Sequence, residues 1–508
     1  MVSRIFRRGP LCARLRARVP VLCVLTLLVL PVNVATGADF QDDLKARRAK
    51  VMQELGPDSI LIVWSAPPRV YSNDVDYEYR QDSNFYYLTG VDQGESILVL
   101  MPGNGGHKEM LFVLPRDATR EHWEGHRLTK EEAMHDSGIA TVYETTEFET
   151  FLASMLSRRA YGEGVAPQEY DTFFKALKEN RARLQLLLGP PPGPKEELPQ
   201  IYQFANRTRE RFFGFTVNDA TPIVEASRQV KTAYEQKVLQ RSADISSEAH
   251  RAGMKAAHPG AYEYEVEAAI EYIYKKNGAD DWGYPSIVGS GPNATTLHYE
   301  KSKRQMQAGE LLLVDAAANY QFMTVDITRT YPVSGTFSPA QKDIYNLVLQ
   351  AQTDAMKVAA AGAKLSDVHN KTVDVIKQGL LKLGLITDTT GDQYRTWYTH
   401  RATHWIGMDV HDVGERDRTL APGMAFVIEP GIYIRDGALD QLPKTPENAA
   451  FIQKVRPAYE KYRNIGVRIE DSFLLTDSGL QRLSSKVPRT VEEIESFMKS
   501  PQPSSLPR

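Results

Sequence analysis

Four acidic residues in the C-terminal half occupy matching places in a repeated pattern. Met306–Asp315 contains a glycine, an apolar strand and an acid six residues after the glycine, and Leu420–Glu429 repeats this order at an offset of 114. Asp326 and Glu470 each precede the glycine of a Ser-Gly pair by nine residues, at an offset of 144. The extra 30 residues fall in a polar segment, about 435–463, and predict a surface insertion. A duplicated sequence folds into two similar halves, so each half supplies two acids.

The first pair of acids is predicted to face each other across a hairpin. Asp315 ends the apolar run Leu311–Val314, and Asp326 lies on the alternating segment that follows. If the hairpin is centred on residues 319–322, positions whose numbers add to 641 lie opposite, and the two aspartates share a face. Opposed like charges weaken such a ladder. The pairing therefore predicts a cation between the aspartates.

The second half repeats this arrangement. Ala425–Ile428 leads into Glu429, while Gly466, Arg468 and Glu470 alternate along one face of the next strand. Arg468 is two residues from Glu470 on that face, so we expect it to orient a carboxylate.

Histidines complete the candidate site. His400, His404 and His411 cluster shortly before Glu429, and His298 precedes Asp315 as His411 precedes Glu429. Four carboxylates and an imidazole favour hard or borderline ions such as Mn²⁺, and two divalent ions would balance so many acids. A water bridging two such ions becomes hydroxide near neutral pH and can attack a polarised carbonyl. Since the sequence carries no serine elbow, Walker loop or Rossmann fingerprint in a supporting context, hydrolysis is the simplest use of the site.

Two domains are expected to hold these residues. Apolar segments at 59–64 and 96–101, with helical stretches near 40–55 and 120–135, predict an α/β N-terminal domain. A Pro/Gly-rich stretch at 188–195 predicts a loop, and a long amphipathic helix is expected from about Val230. The predicted bounds are 39–227 for the N-terminal domain, 228–499 for the catalytic domain and 500–508 for a disordered tail.

Residues 1–38 have the composition of an export signal. They contain six arginines and no acid, an apolar run from Val19 to Val34, and Thr36-Gly37-Ala38. The run is short against the ~20 residues of a membrane span, so cleavage after Ala38 is preferred to an anchor. We expect a periplasmic or secreted protein with no stable membrane span. The export route stays open, because the residues after the arginine pair at 7–8 fit a twin-arginine signal poorly.

Removal of this segment also removes both cysteines, Cys12 and Cys23. The metal site must then use His, Asp and Glu. The 61 basic residues fall to 55 against 64 acids, a net charge of about −9, which disfavours a nucleic-acid partner.

The C-terminal half resembles the pita-bread metallopeptidases, and most of all the Xaa-Pro aminopeptidases (aminopeptidase P). The resemblance covers nearly the whole mature chain. It rests on the N-terminal stretch Tyr79–Gly90 and on five catalytic motifs in the family's order: Val288-Gly-Ser-Gly, Asp326-Ile-Thr-Arg-Thr, His404–Gly414, Ile428-Glu-Pro-Gly-Ile-Tyr433 and Gly466-Val-Arg-Ile-Glu-Asp471.

This resemblance implies an α+β fold, with a duplicated, curved antiparallel sheet and helices in the catalytic domain. It implies a homo-oligomeric enzyme that hydrolyses peptides beginning Xaa-Pro, with two divalent ions, Mn²⁺ or else Co²⁺ or Zn²⁺. The implied metal ligands are Asp315, Asp326, His404, Glu429 and Glu470. The other implied roles are catalysis by His298 and His411, orientation of carboxylates by Arg468, and lining of the substrate pocket by His400.

Three stretches depart from the family pattern. The chain has Asp315-Ala-Ala-Ala-Asn-Tyr320 where Asp-Ala-Gly-x-Glu-Tyr is common, and Phe322-Met323 in place of Gly-Tyr. Arg401-Ala402 follows His400 where the family has a glycine and an aliphatic residue. No ligand is lost, so these departures bear on pocket shape and substrate preference. A prolidase, which cuts only Xaa-Pro dipeptides, and an inactive peptide-binding module are the alternatives.

Overall fold

The computed structural model describes residues 37 to 501. The predicted export signal and disordered tail lie almost entirely outside these residues. Among the residues that are described, no helix combines the length and the apolar character that crossing a membrane requires.

The N-terminal region is an α/β unit, as predicted. Its elements in chain order are α1 Gly37–Leu55, β1 Ser59–Trp64, β2 Val70–Ser72, β3 Val75–Asp76, α2 Ser83–Thr89, β4 Ile97–Leu100, β5 Glu109–Val113, α3 Ala118–Glu124, α4 Lys130–Ser137, β6 Thr141–Glu144, α5 Phe148–Leu156, α6 Asp171–Lys178, β7 Ala182–Leu186, α7 Gln200–Arg211, β8 Phe215–Asp219 and α8 Thr221–Arg228.

A mixed sheet with the strand order β6-β5-β4-β1-β7-β8 forms its centre. Alternate residues of β1 enter two different cores: Leu61 and Val63 pack on one face, and Ile60 and Ile62 on the other. Helices cover both faces, which explains why β1 is apolar throughout rather than alternating. The helix predicted near 120–135 is broken at Gly125, where a φ of 97° ends α3 before α4 begins.

The C-terminal region contains α9 Ala233–Ala256, α10 Glu263–Lys276, β9 Asp281–Trp282, β10 Ile287–Ser290, β11 Leu311–Asp315, β12 Ala318–Tyr320, β13 Met323–Thr324, β14 Thr328–Pro332, α11 Pro339–Met356, α12 Leu365–Lys382, β15 Ala425–Ile428, β16 Gly431–Ile434, α13 Pro446–Tyr462, β17 Ile465–Arg468, β18 Asp471–Thr476, β19 Gly479–Arg482 and α14 Val491–Lys499. The predicted amphipathic helix is α9, which begins with a Thr232/Glu235 capping box.

The duplication is visible in these elements. In the first half the antiparallel sheet β10-β11-β14 lies against α10, while α9 packs on α10 and on β12 and β13. In the second half β15-β18-β19 lies against α11, which also packs on α12. The 30 extra residues of the second copy contain α13, whose Phe451, Val455 and Tyr459 enter the main core. The insertion is therefore partly buried rather than a purely polar surface segment.

The predicted hairpin register is wrong by two residues. Asp315 pairs with Thr328, not with Asp326. The turn consists of Gln321 and Phe322, which both have positive φ (48° and 61°), the geometry of a two-residue type I′ turn. This turn lies one residue later than predicted. Because a shift of two residues keeps the same face, the two aspartates still point to the same side.

Contacts with the N-terminal region hold this turn. The Phe322 ring stacks on Tyr86 with centroids 3.7 Å apart, and the Arg80 guanidinium lies 4.6 Å from the centre of the Phe322 ring. Arg80 also donates a hydrogen bond to the carbonyl of Met408, in the loop that carries His411 (2.9 Å). These contacts compensate for a backbone conformation that non-glycine residues rarely adopt.

Candidate active site

The four predicted acids meet where the strands of both halves are interrupted. Asp326 lies between β13 and β14, and Glu470 lies between β17 and β18. The Glu470 N–H donates to the Thr328 carbonyl at 3.0 Å, and the Asp326 N–H donates to Ser472 Oγ at 2.8 Å. These cross-links join the two breaks, so acids far apart in sequence are held side by side.

The segment before β15 brings in the histidine. Backbone hydrogen bonds from Glu429 N–H to the Ala402 carbonyl (2.9 Å) and from Val427 N–H to the His404 carbonyl (3.0 Å) align it with that strand. His404 Nε2 consequently lies 3.4 Å from a carboxylate oxygen of Asp326 and 3.7 Å from one of Glu429. It lies 3.8 Å from Glu470 Oε1.

Three donor sets in the described residues could each hold an ion, with their ligand atoms within 4.8 Å of one another. They are Asp315/Asp326/Glu470, His404/Glu429/Glu470 and Asp326/His404/His411. The first two sets share Glu470 and together contain all five predicted ligands. The third contains His411, which the sequence analysis placed outside the ligand set.

The electrostatics of the site are those of a cation site. Glu470 Oε1 is buried, and no group in the described part of the chain forms a hydrogen bond with it. The Tyr284 hydroxyl oxygen lies 2.7 Å from Asp315 and 2.6 Å from Asp326, yet its one proton can serve only one of them at a time. Burial and a neighbouring acid raise the pKa of Asp326, Glu429 and Glu470 well above their ordinary values. Unpaired, crowded carboxylates of this kind fit divalent cations.

Arg468 is buried beneath the acids, as expected for an orienting residue. Its Nη2 lies 2.6 Å from Asp315 Oδ2, and its Nε donates to Thr328 Oγ1 (3.0 Å), which donates in turn to Glu470 (2.7 Å). Burial alone would raise the pKa of Asp315, but the Arg468 guanidinium holds it below its usual value. Asp315 is therefore the acid whose charge this chain neutralises itself.

His400 lies on one wall of the site. Its Nε2 accepts a hydrogen bond from the Tyr433 hydroxyl at 2.8 Å, and Arg468 donates to that hydroxyl at 2.9 Å. His400 Nδ1 lies 2.8 Å from the Arg401 carbonyl. Burial, followed by the charge of Arg468, lowers the pKa of His400 to about 3.

His298 and His411 line the same cavity of about 560 Å³. The His411 ring meets the His404 ring edge-on, with centroids 4.4 Å apart. Burial, then the charges of His404 and His298, lowers the pKa of His411 to about 4. All nine predicted site residues therefore line one cavity, whose volume lies in the ~300–1,000 Å³ range of small-molecule sites.

The loop that carries His298 is anchored by Glu263, a fully buried residue that the sequence analysis did not identify. Glu263 Oε1 accepts from the N–H and hydroxyl of Ser290 (2.7 and 2.8 Å) and from Asn293 Nδ2 (3.0 Å). Its Oε2 accepts from the Tyr299 hydroxyl and the Arg304 N–H, both at 2.9 Å. One carboxylate thus fixes both ends of the loop.

A second anchor joins the domains beside His411. Asp412 accepts from the buried Arg228 guanidinium and from Lys231 Nζ at 2.7 Å. Arg228 also donates to Asn84 Oδ1 in the N-terminal region and to Asp409 Oδ2, both at 2.8 Å. The loop between His404 and His411 is therefore held by ion pairs to the domain junction.

Comparison with known proteins agrees with this architecture. Residues 237–477 match the model of metallopeptidase family M24, and residues 44–162 match the aminopeptidase P N-terminal domain. The Xaa-Pro aminopeptidase of Escherichia coli is 31% identical over 478 residues, 90% of this chain and 98% of the relative. That of Haemophilus influenzae is 32% identical over 469 residues, 90% and 97% of the two chains.

Solved structures show the same likeness. Pseudomonas aeruginosa aminopeptidase PepP superposes with a TM-score of 0.75 at 34% identity. Aminopeptidase P from E. coli with the inhibitor Pro-Leu has a TM-score of 0.75 at 31% identity. Each comparison covers 90% of this chain and 98% of the solved chain. The predicted α+β fold, with an N-terminal domain before a pita-bread catalytic domain, is confirmed.

Proposed function

This chain belongs to metallopeptidase family M24, and from that membership we propose that it is a metal-dependent aminopeptidase releasing the first amino acid from peptides with proline in second position. One observation carries the proposal: two sets of three donors share Glu470, whose buried Oε1 has no hydrogen-bond partner among residues 37–501. Such a paired site suits hydrolysis of an amide bond, and the relatives of this chain named above are Xaa-Pro aminopeptidases.

The charge of the site supports two divalent ions. Within the two donor sets that share Glu470, the four carboxylates together with the Arg468 guanidinium that pairs with Asp315 leave a net charge of −3. A single divalent ion would leave this balance negative. Divalent ions there would polarise the scissile carbonyl and activate the attacking water near neutral pH. Mn²⁺ is the proposed metal because the donors are mostly oxygen. The residues that would hold the ions are Asp315, Asp326, His404, Glu429 and Glu470.

Proline in second position gives the histidines specific tasks. An Xaa-Pro bond is a tertiary amide without an N–H, so the site must accept the ring by shape and protonate its nitrogen as it leaves. His298 is the proposed donor of that proton, and His411 the group that stabilises the developing oxyanion. Both line the cavity that contains the five proposed ligands.

The position of the free α-amino group restricts where a peptide can be cut. That group would lie close to the proposed ions and to the carboxylates that hold them. An internal peptide bond brings no such group. Cleavage is therefore limited to one residue from the N-terminus.

A peptide panel with Mn²⁺ added tests the function. Xaa-Pro-Yaa should be cut after Xaa, Xaa-Ala-Yaa much more slowly, and the N-acetylated Xaa-Pro-Yaa hardly at all. Equal cleavage of the alanine analogue would overturn the proline specificity. If only the dipeptide Xaa-Pro is hydrolysed and tripeptides resist, the enzyme is a prolidase.

We also propose that the enzyme is exported to the periplasm or secreted, and that it acts as a homo-oligomer. The arginine-rich start, the apolar run and Ala38 support export. Fractionation of cells and light scattering of the purified protein test these two proposals.

A further inference from the structure

Arg401 is an exposed cation at the active-site cavity, and no acid within residues 37–501 forms an ion pair with it. It follows His400 directly and lines the cavity that contains the five proposed ligands. Its backbone is fixed, because its carbonyl lies 2.8 Å from His400 Nδ1. Within residues 37–501, however, no hydrogen bond or ion pair engages its guanidinium.

This lack of a partner is informative because the cavity is rich in acids. Arg468 forms an ion pair with Asp315 at 2.6 Å, while His400 and His404 lie within 4 Å of the other carboxylates. The guanidinium of Arg401 instead lies near His369, whose pKa falls to about 4 through burial and then through the charges of Arg401 and Arg395. Arg395 itself is paired with Asp392 at 3.3 Å. Arg401 therefore places a positive charge on its side of the cavity that no acid in the described residues pairs with.

The cavity therefore has a floor formed by the five proposed ligands and a positive charge at Arg401 on one side. The proposed function places the α-amino end of the peptide at that floor, so the part of the peptide beyond the scissile bond extends from it toward the walls. A planar guanidinium with two parallel N–H donors is the side chain best suited to a carboxylate. Arg401 directly follows His400, whose Nδ1 lies 3.4 Å from a carboxylate oxygen of Glu429, and both residues line the cavity. Each residue of an extended peptide adds ~3.5 Å, so a third residue can extend away from the ligands toward the cavity wall.

We propose that Arg401 binds a carboxylate on the third residue of the substrate, and so makes the enzyme prefer peptides of the type Xaa-Pro-Yaa whose third residue is anionic. This inference rests on the proposed function. The carboxylate has two possible sources, the free C-terminus of a tripeptide and an acidic third side chain.

Three peptides separate the sources. Ala-Pro-Asn with a free C-terminus carries only the α-carboxylate, Ala-Pro-Asp-amide carries only the side-chain carboxylate, and Ala-Pro-Asn-amide carries neither. The measurement is kcat/KM for each peptide with the Mn²⁺-loaded full chain. The wild type should favour at least one anionic peptide over Ala-Pro-Asn-amide by on the order of tenfold, the effect of a charge-assisted contact at a partly solvated site.

The variant Arg401→Gln should reduce that ratio to about 1. Arg401→Lys should keep part of the preference, because the lysine ammonium still attracts a carboxylate as a point charge. Each ratio compares the kcat/KM values of two peptides measured with the same preparation. A variant that contains less active protein therefore gives an unchanged ratio. Arg209→Gln, an exposed arginine on α7 in the N-terminal region, is the matched control and should keep the wild-type ratio.

The outcomes are distinct. If the wild type cuts all three peptides equally well, or if Arg401→Gln keeps the wild-type ratio, the Arg401 inference is overturned while the proposed function stands. If the ratio survives in Arg401→Gln but is lost in Arg416→Gln, then Arg416, another arginine lining the cavity, binds the carboxylate and the inference is again overturned. If the wild type cuts no Xaa-Pro peptide, the proposed function itself has failed.

Discussion

Replacing Glu263 with glutamine should loosen the loop that carries His298 without touching the metal ligands. The side chain is fully buried and accepts five hydrogen bonds, three at Oε1 and two at Oε2. Glutamine has the same shape, but its amide nitrogen cannot accept. If that nitrogen replaces Oε2, the Tyr299 hydroxyl can rotate to accept, whereas the Arg304 N–H is left unpaired.

The expected cost follows from these contacts. One hydrogen bond to a buried N–H is lost, and the others no longer involve a charged acceptor. An unsatisfied buried donor costs ~1–3 kcal/mol, and a hydrogen bond to a charged group contributes ~1.5–3 kcal/mol. We therefore expect the free energy of unfolding to fall by about 2–4 kcal/mol. A misplaced His298 should also lower kcat by about ten- to a hundredfold.

Urea unfolding and steady-state kinetics, with metal content measured on the same preparation, test this prediction. The matched control is Glu265→Gln, because Glu265 is exposed in the first turn of the same helix and glutamine can still complete its capping box. The control should stay within about 0.5 kcal/mol of the wild type. If Glu263→Gln is equally stable and equally active, the loop is not anchored by this carboxylate.

The remaining predictions concern the metals, the histidine, the core and export. Asp326→Asn should lose bound metal and nearly all hydrolysis while its circular dichroism stays unchanged, because an amide is a poor ligand; a fully active variant would contradict the ligand assignment. His298→Ala should lower turnover more than it alters metal content, and a parallel loss of metal would show a structural role instead. Arg329→Met removes one partner of a fully buried ion pair with Asp471 (2.6 Å) and should cost about 3–5 kcal/mol in urea unfolding, so a change below 1 kcal/mol would refute this. Sequencing of the mature protein should find an N-terminus near Asp39, and an intact initiator methionine on soluble cytoplasmic protein would refute export.

The repeated pattern was the part of the site that sequence alone could predict. A glycine, an apolar strand and an acid form a local signal, and its recurrence brought Asp315 and Glu429 into one hypothesis. Their partners Asp326 and Glu470 followed from the Ser-Gly pairs. The exact register did not follow, because it depends on a turn at Gln321 and its neighbour, which lack the glycine or asparagine usual for positive φ.

Other residues gave no usable signal. Tyr284 contacts two predicted ligands but lies outside the repeat, and Glu263 reads as an ordinary acid in the first turn of a helix. Their importance arises from tertiary contacts with residues 27 to 42 positions away in the sequence. Arg228 and Asp412 are 184 positions apart and could likewise be connected only in the folded chain.

The central claim is that the chain hydrolyses Xaa-Pro peptides through two divalent ions held by the five proposed ligands. The most direct measurement is a titration of chelator-treated protein with Mn²⁺, following bound metal and cleavage of Ala-Pro-Asn in the same samples. Activity should be absent without metal and should reach its maximum as two ions bind per chain. Full cleavage by the metal-free protein, or no cleavage with two ions bound, would contradict the claim.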